Sequence, residues 1–342
     1  MEHPQDWTEP GAHQVAPGVY RIPLPLPHDG LRAVNVYAIE TGADLALVDG
    51  GWALDESRQR LESALRSIGR TVSDIGRFLV THVHRDHYTQ AVAIRREFGS
   101  KVSLGIGEKP ALEAISEAVR TGENPQLPLL RKAGAEPLVA WLEQLGSSDI
   151  PDLSNWEPPD EWLTEDSMLA VPGREIQAVP TPGHTQGHVV FTDLSNGLLF
   201  AGDHVLPHIT PSIGFEMVPA EQPLGDFLNS LARVRAMPDL RLLPAHGPVT
   251  DSTHARVDQL VAHHDERLAQ CRAVVESGRD TAYRAAEELP WTRRRRRFAD
   301  LDVFNQFLAV TETMAHLELL AARGELRRET HDGVRRYTAA GG

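Results

Sequence analysis

The sequence predicts a mixed α/β chain: strands and helices alternate over residues 1–252, and a mostly helical unit follows over 253–342. Three observations point there. Short runs rich in β-branched and aromatic residues recur between stretches of helical apolar spacing. Loops bearing histidine and aspartate follow several of those runs directly. The chain closes on long helical stretches and an Asp-Gly turn between two extended runs, a hairpin signal.

The first strands are expected at Gly18–Ile22, Val34–Ile39 and Leu45–Val48, the last broken by Asp49-Gly50-Gly51. Leu54 to Ile68 has helical apolar spacing through Leu61, Ala64 and Leu65, and Gly69 ends it. A strand over Arg77–Val80 should deliver the next residues into a loop, followed by a helix over Ala91–Phe98 and a strand over Lys101–Leu104. Residues 108–165 read as a helical insertion, with amphipathic segments at Pro110–Thr121 and Glu136–Leu145. Strands resume at Glu175–Val179, His188–Thr192, Leu198–Phe200 and Leu240–Leu243. The tail supplies helices over Ala255–Glu276, Ala282–Glu288 and Val303–Ala322, then a hairpin turning at Asp332-Gly333. Helices followed by a terminal hairpin suggest a winged-helix-like module.

Composition narrows the function. With 342 residues, 41% apolar and 24% charged, the chain can bury a large core. No apolar stretch approaches the roughly 20 residues that span a bilayer, so no membrane partner is expected. One cysteine, Cys271, excludes an intramolecular disulfide and fits a reducing cytoplasm. Net charge is −14. From Asp265 onward 14 basic residues face 13 acidic ones, so the body before it carries a balance of −15. That body disfavours RNA and other polyanions.

Thr81-His82-Val83-His84-Arg85-Asp86-His87 places three imidazoles and a carboxylate in seven residues. This donor set suits zinc and neighbouring metals. Further donors stand at strand ends: His184 and His188 among glycines, Asp203-His204, His246, and Asp49. Donors drawn from separate strand ends converge on one edge of a rigid scaffold.

These motifs closely resemble the metallo-β-lactamase superfamily pattern, H-x-H-x-D-H followed by His, Asp and His, over the chain to about residue 250. The resemblance implies an αβ/βα sandwich. It implies one metal on His82, His84 and His184, a second on Asp86, His87 and His246, and Asp203 bridging them, with Asp49 supporting the site from behind. His188 and His204 adjoin donors and are read as orienting groups. His84 favours two zinc ions over iron, with iron or manganese as the alternatives. A shared water held by two such ions becomes hydroxide near neutral pH, and Asp86 would orient it and accept its proton.

The resulting expectation is a binuclear hydrolase of an acyl thioester or related ester or lactone, the acyl group carried by coenzyme A or a carrier protein. The tail resembles the subgroup of the lactamase-β-like 2 protein and the hydroxyacylglutathione hydrolases, which keeps a metal-dependent endoribonuclease as first alternative. An iron-dependent sulfur-compound dioxygenase is the second. Tyr88 stands where the family commonly has a small residue, and either narrows the pocket or packs. Arg293, Arg294, Arg295, Arg296 and Arg297 are candidate phosphate contacts, against a plainer reading as a solvated helix start offset by Asp300 and Asp302. A homodimer is the base-rate expectation for such a tail.

Overall fold

Two sheets lie face to face in the computed structural model, which describes residues 6–27, 30–145, 154–292 and 294–340. The first holds β1 (His13–Ala16), β2 (Val19–Pro25), β3 (Ala33–Glu40), β4 (Leu45–Val48), β5 (Ile75–Leu79), β6 (Lys101–Gly105) and β7 (Glu161–Leu163), in that spatial order. Pairing is antiparallel as far as β4 and parallel from β4 to β7. The second holds β8 (Ser167–Val171), β9 (Arg174–Pro180), β10 (Val189–Asp193), β11 (Leu198–Gly202) and β12 (Arg241–Pro244), with β12 parallel to β11 at one edge.

The strands read as near-continuous apolar runs because both of their faces are covered. Between the sheets Tyr37, Val48 and Leu79 meet Ile176, Phe191 and Phe200. The Tyr37 and Phe200 rings pack edge to face with centroids 5.5 Å apart. On the outer face of the first sheet, Ile22, Val34 and Val36 pack against α1 (Asp55–Ser67) and α2 (Arg85–Phe98) through Leu61, Leu65, Val92 and Ile94.

The outer face of the second sheet carries the other helical layer. Val179, Val190 and Leu242 lie in one hydrophobic cluster with Phe227 of α6 (Pro223–Arg235). That cluster continues into the tail: Leu260 of α7 (Thr253–Glu276), Ala285 of α8 (Ala282–Glu288) and Val310 of α9 (Val303–Ala322). It also takes Leu130 of α4 (Leu127–Lys132) and Leu138 of α5 (Glu136–Leu145), which follow α3 (Lys109–Thr121). The layers therefore run helix, sheet, sheet, helix, with the tail and the 108–165 segment sealing one side. A terminal hairpin, β13 (Leu326–His331) with β14 (Val334–Ala339), turns at Asp332 and Gly333. Both turn residues have positive φ, as a two-residue hairpin loop requires.

The structure differs from the sequence expectation in several places, the strands His13–Ala16 and Ser167–Val171 and the helix Leu127–Lys132 among them. The helix expected from Ala91 begins at Arg85, so Asp86 and His87 sit on its first turn instead of in a loop. Buried polar residues there, His87, Thr89 and Gln90, hide the apolar period. The 108–165 segment is helical only to Leu145, and Glu161–Leu163 rejoins the first sheet as its edge strand. Helix α6 lies outside the sequence expectation, although Pro223 opens it and Leu224, Phe227, Leu231 and Val234 form its buried face. Part of the segment, residues 146–153, lies outside the described residues.

Candidate metal centre

Five strand ends meet at one edge of the sandwich. Asp49 follows β4, His82 to His87 follow β5, and His184 lies between β9 and β10, with Asp203 just after β11 and His246 just after β12. Backbone bonds stitch these ends together. Val189 N–H donates to Thr81 O at 2.8 Å, Ala245 N–H to Gly202 O at 3.1 Å, and Gly50 N–H to His87 O at 2.7 Å. The buried Asn35 of β3 donates through Nδ2 to Pro244 O and Gly247 O, fixing the His246 loop on both sides. Gly183 is required by close approach: at φ +138° a Cβ would lie 2.4 Å from Phe227 Cα.

Two sets of donor atoms converge. His82 Nε2 lies 3.0 Å from His84 Nδ1, which lies 3.2 Å from His184 Nε2. A tetrahedral cation with bonds of about 2.0–2.1 Å keeps its ligands about 3.3 Å apart, close to these spacings. In the second set Asp86 Oδ2 lies 3.5 Å from His87 Nε2 and 3.4 Å from His246 Nε2. Asp203 faces both sets. Its Oδ2 is 3.6 Å from His184 Nε2, and its Oδ1 is 3.7 Å from His87 Nε2 and 3.4 Å from His246 Nε2.

Outer partners choose which nitrogen points inward. His184 Nδ1 donates to Ser212 O at 2.7 Å, His246 Nδ1 to Ala33 O at 2.8 Å, and His87 Nδ1 to Asp49 at 2.9 Å. In each ring Nε2 is then left as the free donor of a lone pair. Asp49, held at φ +62°, also accepts from the Thr81 N–H and hydroxyl. His188 is occupied otherwise: Nδ1 meets the Thr181 hydroxyl at 2.9 Å and Nε2 accepts from Asp203 N–H at 3.2 Å. It orients the Asp203 backbone. His204 is buried beside Phe227, with centroids 5.1 Å apart, and burial holds it down to about 3.

Electrostatics divide the sets. Burial pushes His82 far below the ordinary histidine range and His84 down to about 3, with neighbouring imidazoles adding to the effect. These are neutral, ligand-ready rings. At His87 burial opposes the charge, but Asp86, Asp49 and Asp203 outweigh it and lift the ring to about 9. His246 is raised likewise against burial by Asp203 and Asp86. Protons there neutralise carboxylates that a divalent cation would neutralise instead. His87 Nε2, His246 Nε2 and Asp203 Oδ1 are buried without a hydrogen-bond partner, an arrangement costing about 1–3 kcal/mol per group unless something else binds them. The residues fit a metal.

A sequence profile described as the metallo-beta-lactamase superfamily matches residues 29–246. The chain belongs to that superfamily. A second profile, the C-terminal domain of metallo-beta-lactamase-like proteins, matches residues 272–340. The lactamase-like protein nscB of Aspergillus fumigatus is 26% identical over 250 residues, 73% of this chain, and the chain spans 58% of that relative's length. The beta-lactamase-like protein 2 homolog of Caenorhabditis elegans is 23% identical, over 76% of this chain and 73% of its own. A crystal structure of a metallo-beta-lactamase family protein from Thermus thermophilus superposes with a TM-score of 0.73 at 28% identity, covering 95% of this chain and 100% of that one. This superfamily has a metal-dependent hydrolase fold, and the present chain brings groups of His and Asp donors close enough to hold a metal ion.

Not every sequence candidate of this superfamily member lies at the metal edge. Tyr88 is fully buried, its hydroxyl donating to Glu157 O and its ring near Trp156, so packing accounts for it. Arg297 pairs with Asp300 at 3.0 Å. Arg294, Arg295 and Arg296 line a cleft against α7 and α9, and Arg293 lies outside the described residues. His264 is fully buried against His316, Nδ1 to Nε2 3.1 Å. Sequence reading missed two buried carboxyls behind the metal loops. Glu108 accepts from the Thr185 hydroxyl and the Val83 and Gly187 N–H groups, and burial raises it to about 7. Glu216 accepts from Gln186 N–H at 2.6 Å, and burial raises it to about 8. Neither stands in a recognisable motif; each is far in sequence from the loop it holds.

Proposed function

We propose that the chain is a binuclear hydrolase, holding two zinc ions and acting on an acyl thioester or related ester or lactone. The observation that carries this reading is Asp203, whose two oxygens face two separate donor sets. His82, His84 and His184 would hold one ion; Asp86, His87 and His246 the other. Such cations lower the pKa of water towards neutrality and polarise a carbonyl oxygen. Asp86 contributes a carboxylate that stays ionised: burial opposes this, but His87 and His246 hold it below the usual range. It is placed to orient the attacking water and receive its proton. Cys271 takes no part, since it is buried in α7 and pushed up to about 12.

An apolar wall beside His84 supports an acyl substrate. Phe215 lies 6.3 Å from His84, centroid to centroid, and 5.5 and 5.3 Å from Phe304 and Phe307 of α9. Phe304 is half exposed, a surface ready to take an acyl chain. The endoribonuclease alternative finds less support. In the terminal hairpin of the tail that would serve as an RNA platform, three of the four arginines are engaged, Arg328 and Arg335 with Glu318 and Arg336 with Asp280. A cytoplasmic location accords with the single buried thiol. Among the described residues no helix is long and apolar enough to cross a membrane.

The test is a substrate panel on metal-quantified protein: acyl-coenzyme A, lactone, β-lactam, RNA and a persulfide. Hydrolysis of the acyl compounds with zinc is expected. Turnover of RNA alone, or iron-dependent persulfide oxidation, would replace the reading with the matching alternative.

A further inference from the structure

A cleft of about 1030 Å³ opens between α7, α9 and residues 290–292 and 294–296, and nothing in the proposed chemistry uses it. Its lining is cationic. Arg267 on α7 is 8% exposed, stacks on Trp291 at 4.8 Å, donates through Nη2 to Pro290 O, and keeps Nη1 buried without a partner. Arg294, Arg295 and Arg296 stand exposed at the rim, and no salt bridge engages them among the described residues. Two carboxylates, Glu266 and Glu312, face them. Burial raises Glu312, with Arg267 opposing.

The turn is held in shape. Trp291 and Arg296 exchange backbone bonds of 2.8 and 2.7 Å, and Trp291 is anchored by its indole N–H on Ala286 O. Three guanidinium groups are thus presented on a braced loop above a buried fourth. Such groups suit phosphate oxygens, which accept paired N–H donors. Ser212 also lines the cleft, and its carbonyl accepts from the His184 ring.

We propose that this cleft binds the phosphate-bearing tail of a small-molecule substrate, with Arg267 at the floor and Arg294, Arg295 and Arg296 at the rim, the acyl end pointing past Ser212 to His184. The cleft's size suits a whole nucleotide-bearing acyl carrier rather than a lone phosphate. This inference rests on the hydrolase reading for the direction of the acyl end alone; the phosphate site stands on the cleft.

Equilibrium binding to the metal-loaded full chain tests it. Coenzyme A, adenosine 3′,5′-bisphosphate and pantetheine serve as ligands, measured by calorimetry at two salt concentrations. The two phosphorylated ligands should bind, more weakly in high salt, and pantetheine at least ten-fold more weakly than coenzyme A. The combined variant Arg294→Ser, Arg295→Ser, Arg296→Ser should raise the Kd for coenzyme A at least ten-fold with its metal content unchanged, whereas Arg297→Ser, which removes a partner of Asp300, should change it less than two-fold. Equal binding of pantetheine, or an unchanged Kd in the triple variant, overturns the inference, since the ligand would then sit elsewhere. Binding of a short oligoribonucleotide with none of the small ligands also overturns it. Because the readout is binding, a protein that hydrolyses no acyl compound yet binds coenzyme A through these arginines refutes the proposed function and leaves the cleft site standing.

Discussion

Asp49 Oδ2 lies 2.9 Å from His87 Nδ1, and that contact fixes which face of the ring meets the second donor set. The same carboxylate accepts from the Thr81 N–H at 2.8 Å, so it also sets where the histidine segment leaves β5. Removing such an outer partner weakens metal binding about 10–100-fold in general. Asp49→Ala should therefore loosen one ion of two by that factor in chelator competition. Equal retention of both ions would show that His87 needs no such support.

The Glu108 and Glu216 carboxyls predict a pH-dependent stability. Burial raises them from the ordinary 4.5 to about 7 and about 8. The folded chain then binds protons that the unfolded chain has lost, so the stabilisation is complete below about 4.5 and fades as pH rises through 7 and 8. Glu216→Gln keeps a neutral acceptor for Gln186 N–H and removes the titration. Its unfolding midpoint in urea, relative to the parent protein, should rise steadily between pH 5.5 and 8.5. A difference independent of pH would contradict the assignment.

Gly183→Ala should be severe for a change in a loop. The added methyl would press on the Phe227 backbone at positive φ, and relief requires α6 or the His184 loop to move. We expect a loss of several kcal/mol, on the scale of core disruptions, together with weaker metal retention. Normal metal content in a stable variant would show that the close approach is dispensable.

A buried carboxylate gathers three side chains of the terminal hairpin. Glu318, 3% exposed, receives Arg328, Arg335 and the Tyr337 hydroxyl. Arg328 and Arg335 are partly exposed, so the loss is smaller than the about 3–5 kcal/mol of a fully buried pair. Glu318→Gln should speed amide exchange across 326–339 well beyond that of the sheets. Uniform exchange would place the anchor elsewhere.

The metal edge was legible because its donors are dense in sequence: three histidines and Asp86 within seven residues carry their own signal, and glycines flank His184. The central strands were also legible, since Val34 to Ile39 and Leu45 to Val48 are buried on two faces and read as apolar runs, whereas the edge strands His13–Ala16, Glu161–Leu163 and Ser167–Val171 were not. What escaped depends on distance along the chain. Glu216 matters because Gln186, thirty residues earlier, lies against it. The first turn of α2 escaped because His87, Thr89 and Gln90 are buried for function and bonding, against the helical apolar period. Arg294 to Arg296 were visible as a charge run, but the cleft that gives them a common target forms only when α7 and α9 pack.

A two-metal site requires Asp203 to serve both donor sets, and the most direct measurement is the metal content of the purified, fully loaded chain by elemental analysis. Two ions per chain are predicted for the parent protein, and one for each of His84→Ala and His246→Ala. A fully loaded parent protein that holds one ion or none would contradict the two-metal site.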